Sequence, residues 1–279
     1  MKRDPHAHPL DVTLNLINPV TAYQERYDTQ SRESLSKMNM TTERAQNIPP
    51  FIVMDVLEKA HELERHGRHI IHLEIGEPDF PTPPCICEAA IEAIQRGQTH
   101  YTHSLGLLEL REAVCEHYLE KYGISINPEQ IIITSGTSPA LFMLFSTLLE
   151  AGEEIIISNP HYPCYPNFAE FLRAKPVFVN VYEEDGFQFR PEEVKEKIGP
   201  KTKAILINSP SNPTGNLLAA DRMEQIAGLG TCIISDEIYH GLVYEGKEHS
   251  ILEFTDRAFM LNSFSKLYDR IEAGIHNRS

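Results

Sequence analysis

The sequence predicts an α/β fold, a mainly parallel sheet flanked by helices, and three observations carry that expectation. Six short β-rich runs, at 131–133, 155–157, 177–179, 204–207, 232–234 and 259–261, have starts 22 to 28 residues apart. The runs are continuously apolar rather than alternating, as strands buried on both faces require. Each interval has room for a helix and two loops, so successive strands can lie parallel.

The elements before this rhythm are read in order. Residues 1–37 carry Pro5, Pro9 and Pro19, many polar side chains and no sustained period, which predicts a disordered extension. Met38 and Met40 stand at the change of character and are candidate natural starts. Val53, Val56, Leu57, Ala60 and Leu63 recur at helical spacing, and Gly67 closes the run. Residues 69–76 read as a strand ending in the loop Glu77-Pro78-Asp79-Phe80-Pro81. Helices are expected over 84–96 and 107–121.

Composition narrows the function classes. The 279 residues include 25 Lys+Arg against 40 Asp+Glu, a formal charge of −15. That balance argues against nonspecific nucleic-acid binding while leaving room for a local anion pocket. No apolar run approaches the ~18 residues of a membrane span. The start, Met1-Lys2-Arg3-Asp4-Pro5-His6, lacks an apolar signal core, so a cytoplasmic protein is expected. Five scattered cysteines, Cys85, Cys87, Cys115, Cys164 and Cys232, predict free thiols rather than a disulfide frame. A lone Cys-x-Cys has no second pair at metal spacing, and the thirteen histidines show no ligand motif, so no metal is expected. His161 is expected to be structural or at a pocket rim.

In open α/β sheets ligands bind outside the carboxyl ends of the strands. Polar residues collect there in this chain. Thr134-Ser135-Gly136-Thr137-Ser138 follows the first run and opens an apolar helical stretch. Glycine lets the backbone approach an anion, the hydroxyls donate, and the helix start adds free N–H groups. Ser158-Asn159-Pro160-His161-Tyr162 follows the second run, and Asn208-Ser209-Pro210-Ser211-Asn212-Pro213-Thr214-Gly215 the fourth. Asp236 follows the fifth, and Asn262, Ser263 and Lys266 the sixth. Five loops on one edge predict a pocket. No Gly-x-Gly-x-x-Gly or Walker-type loop is present, which disfavours dinucleotides and nucleoside triphosphates.

The ordered set Gly76-Glu77-Pro78-Asp79-Phe80, Asn212-Pro213-Thr214-Gly215, Asp236 to Tyr239 and Ser263 to Lys266 resembles the aspartate aminotransferase superfamily. These are pyridoxal-phosphate-dependent class I/II aminotransferases of fold type I, and the likeness spans about 47–266. It implies an N-terminal segment of a small domain over 38–72 and a cofactor-binding large domain over 73–279. It also implies an aminotransferase that moves an amino group from an amino acid to a 2-oxo acid. Lys266 resembles the lysine that holds pyridoxal 5'-phosphate as a Schiff base, and Asp236 the carboxylate at the pyridine nitrogen. Tyr239 and Asn212 resemble the donors to the ring's phenolic oxygen, and Tyr162 the aromatic on the ring face. Gly136, Thr137, Ser138 and Ser263 fall where the family binds the phosphate. Tyr101 resembles the tyrosine that reaches the neighbouring subunit's phosphate, which implies a homodimer. Gly76 resembles the glycine near the substrate carboxylate. A carbon–sulfur lyase of the same superfamily, or a noncatalytic fragment, are the alternative outcomes.

The likeness fades after the lysine. Where the family has a phosphate-binding arginine eight residues on, this chain has Gly274, and Arg270 is not equated with it. The family's next strand inserts beside the lysine-bearing strand, and no counterpart of it or of the small domain that follows is expected here. That predicts a C-terminally truncated, weakly active or inactive chain with two unpaired sheet edges and poor solubility.

Overall fold

The computed structural model describes residues 41–76, 78 and 80–268, together with the backbone of 274–277. Two units are present, Met1–Asn47 and Ile48–Ser279. In the first, the described part is helix α1 (Glu43–Asn47), where Gln46 Nε2 donates to the Thr41 carbonyl at 3.0 Å. The expectations for residues 1–37 and for a start at Met38 or Met40 lie outside the described residues.

The second unit begins with three helices close to their expected places: α2 (Ile52–Arg65), α3 (Pro84–Gln95) and α4 (Leu108–Tyr122). Pro84 opens α3, where a missing N–H costs nothing. Gly123 closes α4 at φ +72, its N–H bonded to the Leu119 carbonyl.

All six β-rich runs form strands: β1 (Ile131–Thr134), β2 (Glu154–Asn159), β3 (Lys175–Asn180), β4 (Thr202–Asn208), β5 (Cys232–Asp236) and β6 (Ala258–Ser263). The helices between them are α5 (Thr137–Leu148), α6 (Cys164–Phe171), α7 (Pro191–Lys197) and α8 (Ala220–Ala227). Strands β3, β2, β4, β5 and β6 pair in parallel, in that order.

A seventh strand corrects the expectation of two open edges. β7 (Gly274–Asn277) lies between β6 and β1 and is antiparallel to both, completing the order β1-β7-β6-β5-β4-β2-β3. Leu261 pairs with His276 on one side, and Ile132 pairs with His276 on the other. Without it the backbone donors and acceptors along β1 and β6 would face each other across an empty strand position. Four residues supply the missing ladder, although their sequence does not follow the family's run.

A second correction concerns 69–76, which forms no strand. Ile71 is 76% and Leu73 88% exposed. The segment has β-forming residues but no neighbouring strand among the described residues, and an extended chain without a ladder gains no sheet hydrogen bonds.

Packing on both faces explains why the strand runs are continuously apolar. Ile156, Ile205, Ile207, Ile233 and Met260 join a cluster with Val114 and Tyr118 of α4, Val194 of α7, and Met223 and Ile226 of α8. Ile155, Ile157, Leu206, Ile234 and Leu261 point the other way, against Leu141 and Phe145 of α5 and Tyr165 and Ala169 of α6. Each fully buried aliphatic side chain contributes about 1.5–3 kcal/mol relative to exposure. Gly106 marks a close approach to this core. Its φ is +93, and a Cβ there would stand 2.6 Å from Ile133 Cβ.

Candidate active site

A cavity of about 920 Å³ opens at the carboxyl edge of the sheet. The five expected loops line it, joined by Phe51, Val53, Met54 and the segment Glu74 to Gly76. Of the residues singled out from sequence, Gly76, Gly136, Thr137, Ser138, Tyr162, Asn212, Asp236, Tyr239 and Lys266 line it together. His161 also lines it, its ring stacked on Phe178 with centroids 5.1 Å apart.

The loop after β1 suits an anion. Gly136 precedes α5 at φ +103, a conformation that glycine adopts without strain, and no side chain caps the helix among the described residues. Thr134 Oγ1 donates to the Gly136 carbonyl at 2.7 Å and fixes the turn. The first-turn N–H groups and the positive end of the α5 dipole are thereby presented at the cavity.

The loops after β4 and β5 are tied to each other. Asn208 Nδ2 donates to the Asp236 carbonyl at 2.9 Å, and the Asn212 N–H donates to Asn208 Oδ1 at 2.7 Å. This cross-brace brings Asn212 Nδ2 within 3.2 Å of the Tyr239 hydroxyl, to which it donates. Burial pushes the Tyr239 phenol up, and the Asn212 donor pulls it back.

Asp236 is buried, and its carboxylate is held on both oxygens. The Tyr165 hydroxyl donates to Oδ2 at 2.7 Å, and the Ile238 N–H donates to Oδ1 at 3.2 Å. Burial raises the carboxyl, while the Tyr165 bond, the Ile238 N–H and the Lys266 charge oppose that rise. Tyr162 packs edge-on to Tyr165 at 5.3 Å and to Phe51 at 6.2 Å, so its ring is fixed at the cavity wall.

Two predicted residues lie elsewhere. Ser263 does not line the cavity; its hydroxyl meets Ser265 Oγ at 3.0 Å and accepts from the Ser265 N–H at 3.1 Å. Ser265 lines the cavity instead. Tyr101 is fully exposed and away from the cavity lining. Glu77, Asp79 and Arg270 lie outside the described residues. Sequence reasoning did not single out Tyr165, Asn208 or Ser265. Tyr165 lies in the first turn of α6, three residues after Tyr162, whose ring it meets edge-on.

The histidines hold one surprise. His61, Glu64 and His72 gather with ligand-type atoms within 4.8 Å of one another, although no motif joins them in sequence. His72 is engaged by Glu74 at 2.6 Å and by Glu64 at 2.9 Å, and these two carboxylates raise its pKa, Glu74 first. His72 with Glu64 and Glu74 forms an exposed ion-pair network, and the His61 ring lies 5.7 Å from that of His72. All five cysteines are free thiols.

Behind the cavity lies a buried acid. Glu237 is fully enclosed, and burial pushes its carboxyl up to about 8 from an ordinary 4.5. The neighbouring His240 is pushed down by burial to about 4 from 6.5. The folded protein thus keeps the Glu237 proton between pH 4.5 and 8, where the unfolded chain has released it. It refuses the His240 proton between pH 4 and 6.5, where the unfolded chain binds it. The first effect makes stability fall with rising pH and the second makes it rise, so they offset up to pH 6.5. Above 6.5 the Glu237 effect stands alone, and stability is expected to fall by about 2 kcal/mol by pH 8. Urea midpoints at pH 6.5 and 8 measure this; Glu237→Gln should level them, and equal midpoints in the unaltered protein would contradict a neutral carboxyl.

The fold and the geometry agree with the comparisons. Residues 68–268 match the family described as Aminotransferase class I and II. The (5-formylfuran-3-yl)methyl phosphate transaminase of Methanocaldococcus jannaschii is 48% identical over 232 residues, which is 82% of this chain and 60% of that protein. The aspartate aminotransferase of Bacillus subtilis is 40% identical over 235 residues, 80% of this chain and 59% of that one. The solved structure of Thermus thermophilus aspartate aminotransferase with maleate superposes with a TM-score of 0.82 at 36% identity, covering 85% of this chain and 64% of that one. This is therefore a chain of the fold that carries pyridoxal-phosphate enzymes. It belongs to the aminotransferase class I and II family, whose members depend on pyridoxal 5'-phosphate. It spans about 60% of the length of the curated relatives it matches.

Proposed function

We propose that the chain carries the cofactor half of an aminotransferase that moves an amino group from an amino acid to a 2-oxo acid. The supporting observation is the convergence of Lys266, Asp236, Asn212, Tyr239 and Tyr162 on one cavity beside an uncapped helix start.

The donor set fits pyridoxal 5'-phosphate. Lys266 would hold its aldehyde carbon and Asp236 its ring nitrogen. The bonded pair Asn212–Tyr239 would face its phenolic oxygen, and Tyr162 its ring face. Gly136, Thr137, Ser138 and Ser265 would hold its phosphate. When bound, this cofactor supplies an aldehyde for amine capture and a ring that accepts an electron pair from the substrate carbon. The protein's part is positioning and proton control. Asp236, held by Tyr165 and Ile238, is placed to pair with a protonated ring nitrogen and would retain the proton there. Lys266, which lines the cavity, would be the base that takes a proton from a substrate α-carbon and returns it. Tyr162, Tyr165 and Phe51 exclude water from one side.

The working unit in this reading is a cytoplasmic homodimer. Tyr101, fully exposed, is free to reach a second subunit, and five reduced thiols suit a reducing compartment. Among the described residues no helix is long and apolar enough to cross a membrane, and the charge of −15 disfavours nucleic acid. The test is a half-reaction. Protein loaded with pyridoxal 5'-phosphate is mixed with single amino acids, and the products are separated by mass. Pyridoxamine phosphate plus the matching 2-oxo acid supports transfer. Pyruvate release with unchanged cofactor would replace transfer by elimination, and no turnover of any amino acid would leave a binding protein only.

A further inference from the structure

We infer that Glu237, a residue outside the cavity lining, is a positioning residue that sets the placement of Asp236 and Tyr239 by pinning the turn between them. The inference rests on the cofactor reading for its consequence, though its geometry stands independently.

Residue 237 is held at every polar group but one. Its N–H donates to the Leu261 carbonyl of β6 at 2.8 Å, and its carbonyl accepts the His240 N–H at 3.0 Å. Its Oε1 accepts from Ser235 Oγ at 2.9 Å, Ser250 Oγ at 3.2 Å and the Ile251 N–H at 2.9 Å. Only Oε2 makes no hydrogen bond; it lies 3.5 Å from His240 Nδ1. Three donors on one oxygen fix the side chain's direction, and the two backbone bonds fix its root. Asp236 and Tyr239 flank this anchor on the cavity side, so neither can shift without straining it.

A purely space-filling role does not account for the residue. Enclosing even a neutral carboxyl carries a desolvation cost unless it is hydrogen-bonded, and an apolar side chain of similar volume would fill the same space without it. What the carboxyl adds is direction, because hydrogen bonds are oriented and apolar contacts are not. The anchor also reaches the lysine-bearing strand. His240 Nδ1 lies 2.7 Å from the Tyr122 hydroxyl, and the Tyr122 ring packs on Tyr118 at 5.2 Å. The Tyr118 hydroxyl accepts from Asn262 Nδ2 at 3.0 Å, on β6 just before Ser263. A continuous chain of contacts thus joins the Asp236–Tyr239 turn to the strand that delivers Lys266.

Three variants test this: Glu237→Leu, which keeps volume and removes the acceptor; Glu237→Gln, which keeps an oxygen acceptor and a neutral donor-bearing group beside it; and Ser250→Ala, which removes one donor. Amide hydrogen exchange on the cofactor-free protein is read first. The Leu variant should speed exchange at Ile238 and His240, whose N–H groups are bonded within the turn, at least tenfold relative to Ile156 and Ile205, and the Gln variant should restore protection to within threefold. Should the Leu variant not fold, Ser250→Ala is expected to show the same local pattern at three- to tenfold. The second readout is the pH midpoint of the visible absorbance of the pyridoxal 5'-phosphate-loaded protein, which Asp236 and Tyr239 would set. Leu should move it by at least half a pH unit and Gln should not. Uniform loss of protection across the sheet, or an unmoved midpoint in a folded Leu variant, overturns the positioning role. Local loss of protection in a protein that never develops the visible band leaves the anchor standing and overturns the cofactor reading instead.

Discussion

Alanine at position 266 is expected to abolish site-directed capture of pyridoxal 5'-phosphate. In the unaltered protein, borohydride reduction after incubation with the aldehyde should leave one dominant label, on the peptide that contains Lys266. Surface lysines also react with aldehydes, but they lack the two features that concentrate the reagent at this cavity. One is the uncapped start of α5 behind Gly136, which attracts the phosphate. The other is the buried Asp236, whose charge interacts with that of Lys266. Inorganic phosphate should therefore suppress the Lys266 label and leave background labelling unchanged. Peptide mass mapping of both proteins decides the matter. A label of equal stoichiometry in Lys266→Ala, or a dominant site elsewhere, would remove the lysine from the proposed chemistry. Asp236→Asn is the companion change: attachment should survive it, because the amine and the phosphate cradle remain, while proton retention at the ring nitrogen is lost.

Phe145→Ala is expected to cost about 3–5 kcal/mol, the range for deleting a buried aromatic ring. Phe145 has no exposed surface and packs edge-on to Phe168 with centroids 6.2 Å apart. It belongs to the cluster by which α5 sits on the sheet, with Leu141, Ile155 and Ile157. Against a total of about 5–15 kcal/mol for a domain, such a loss approaches complete unfolding. The consequence reaches the cavity, because the same helix presents Thr137 and Ser138 at its start. Chemical denaturation followed by circular dichroism measures the loss, and phosphate protection of the folded remainder measures the loosened cradle. A change under about 1 kcal/mol would show that the α5 face is not packed as described. Phe145→Leu, which keeps most of the volume, should recover over half of the loss.

Much of this architecture is legible in residues 131–263. Isoleucine and valine runs without alternation require burial on both faces, so helices must cover both sides of the sheet, and the spacing leaves room for them. The carboxyl-edge rule then assigns the pocket before any contact is known, and residues from all five of those loops stand around one cavity. At the end of β6 the Ser263 hydroxyl turns to Ser265, and Ser265 is the serine that lines the cavity. Residues 69–76 form no strand, because β-propensity describes a fit to a neighbouring strand, and none is there among the described residues.

The sequence alone thus determined the layered α/β class, the strands β1 to β6 and the gathering of polar residues in the loops at one sheet edge, since each follows from local pattern and from loop position. Tertiary structure alone decided the rest. The pairing of Gly274–Asn277 between β1 and β6 answers a demand for hydrogen-bond partners set by strands far away in the chain. The Tyr165 bond to Asp236 and the enclosure of Glu237 likewise depend on side chains from separate elements meeting in the buried interior, where burial and partner geometry, and not sequence neighbours, set both charge and place.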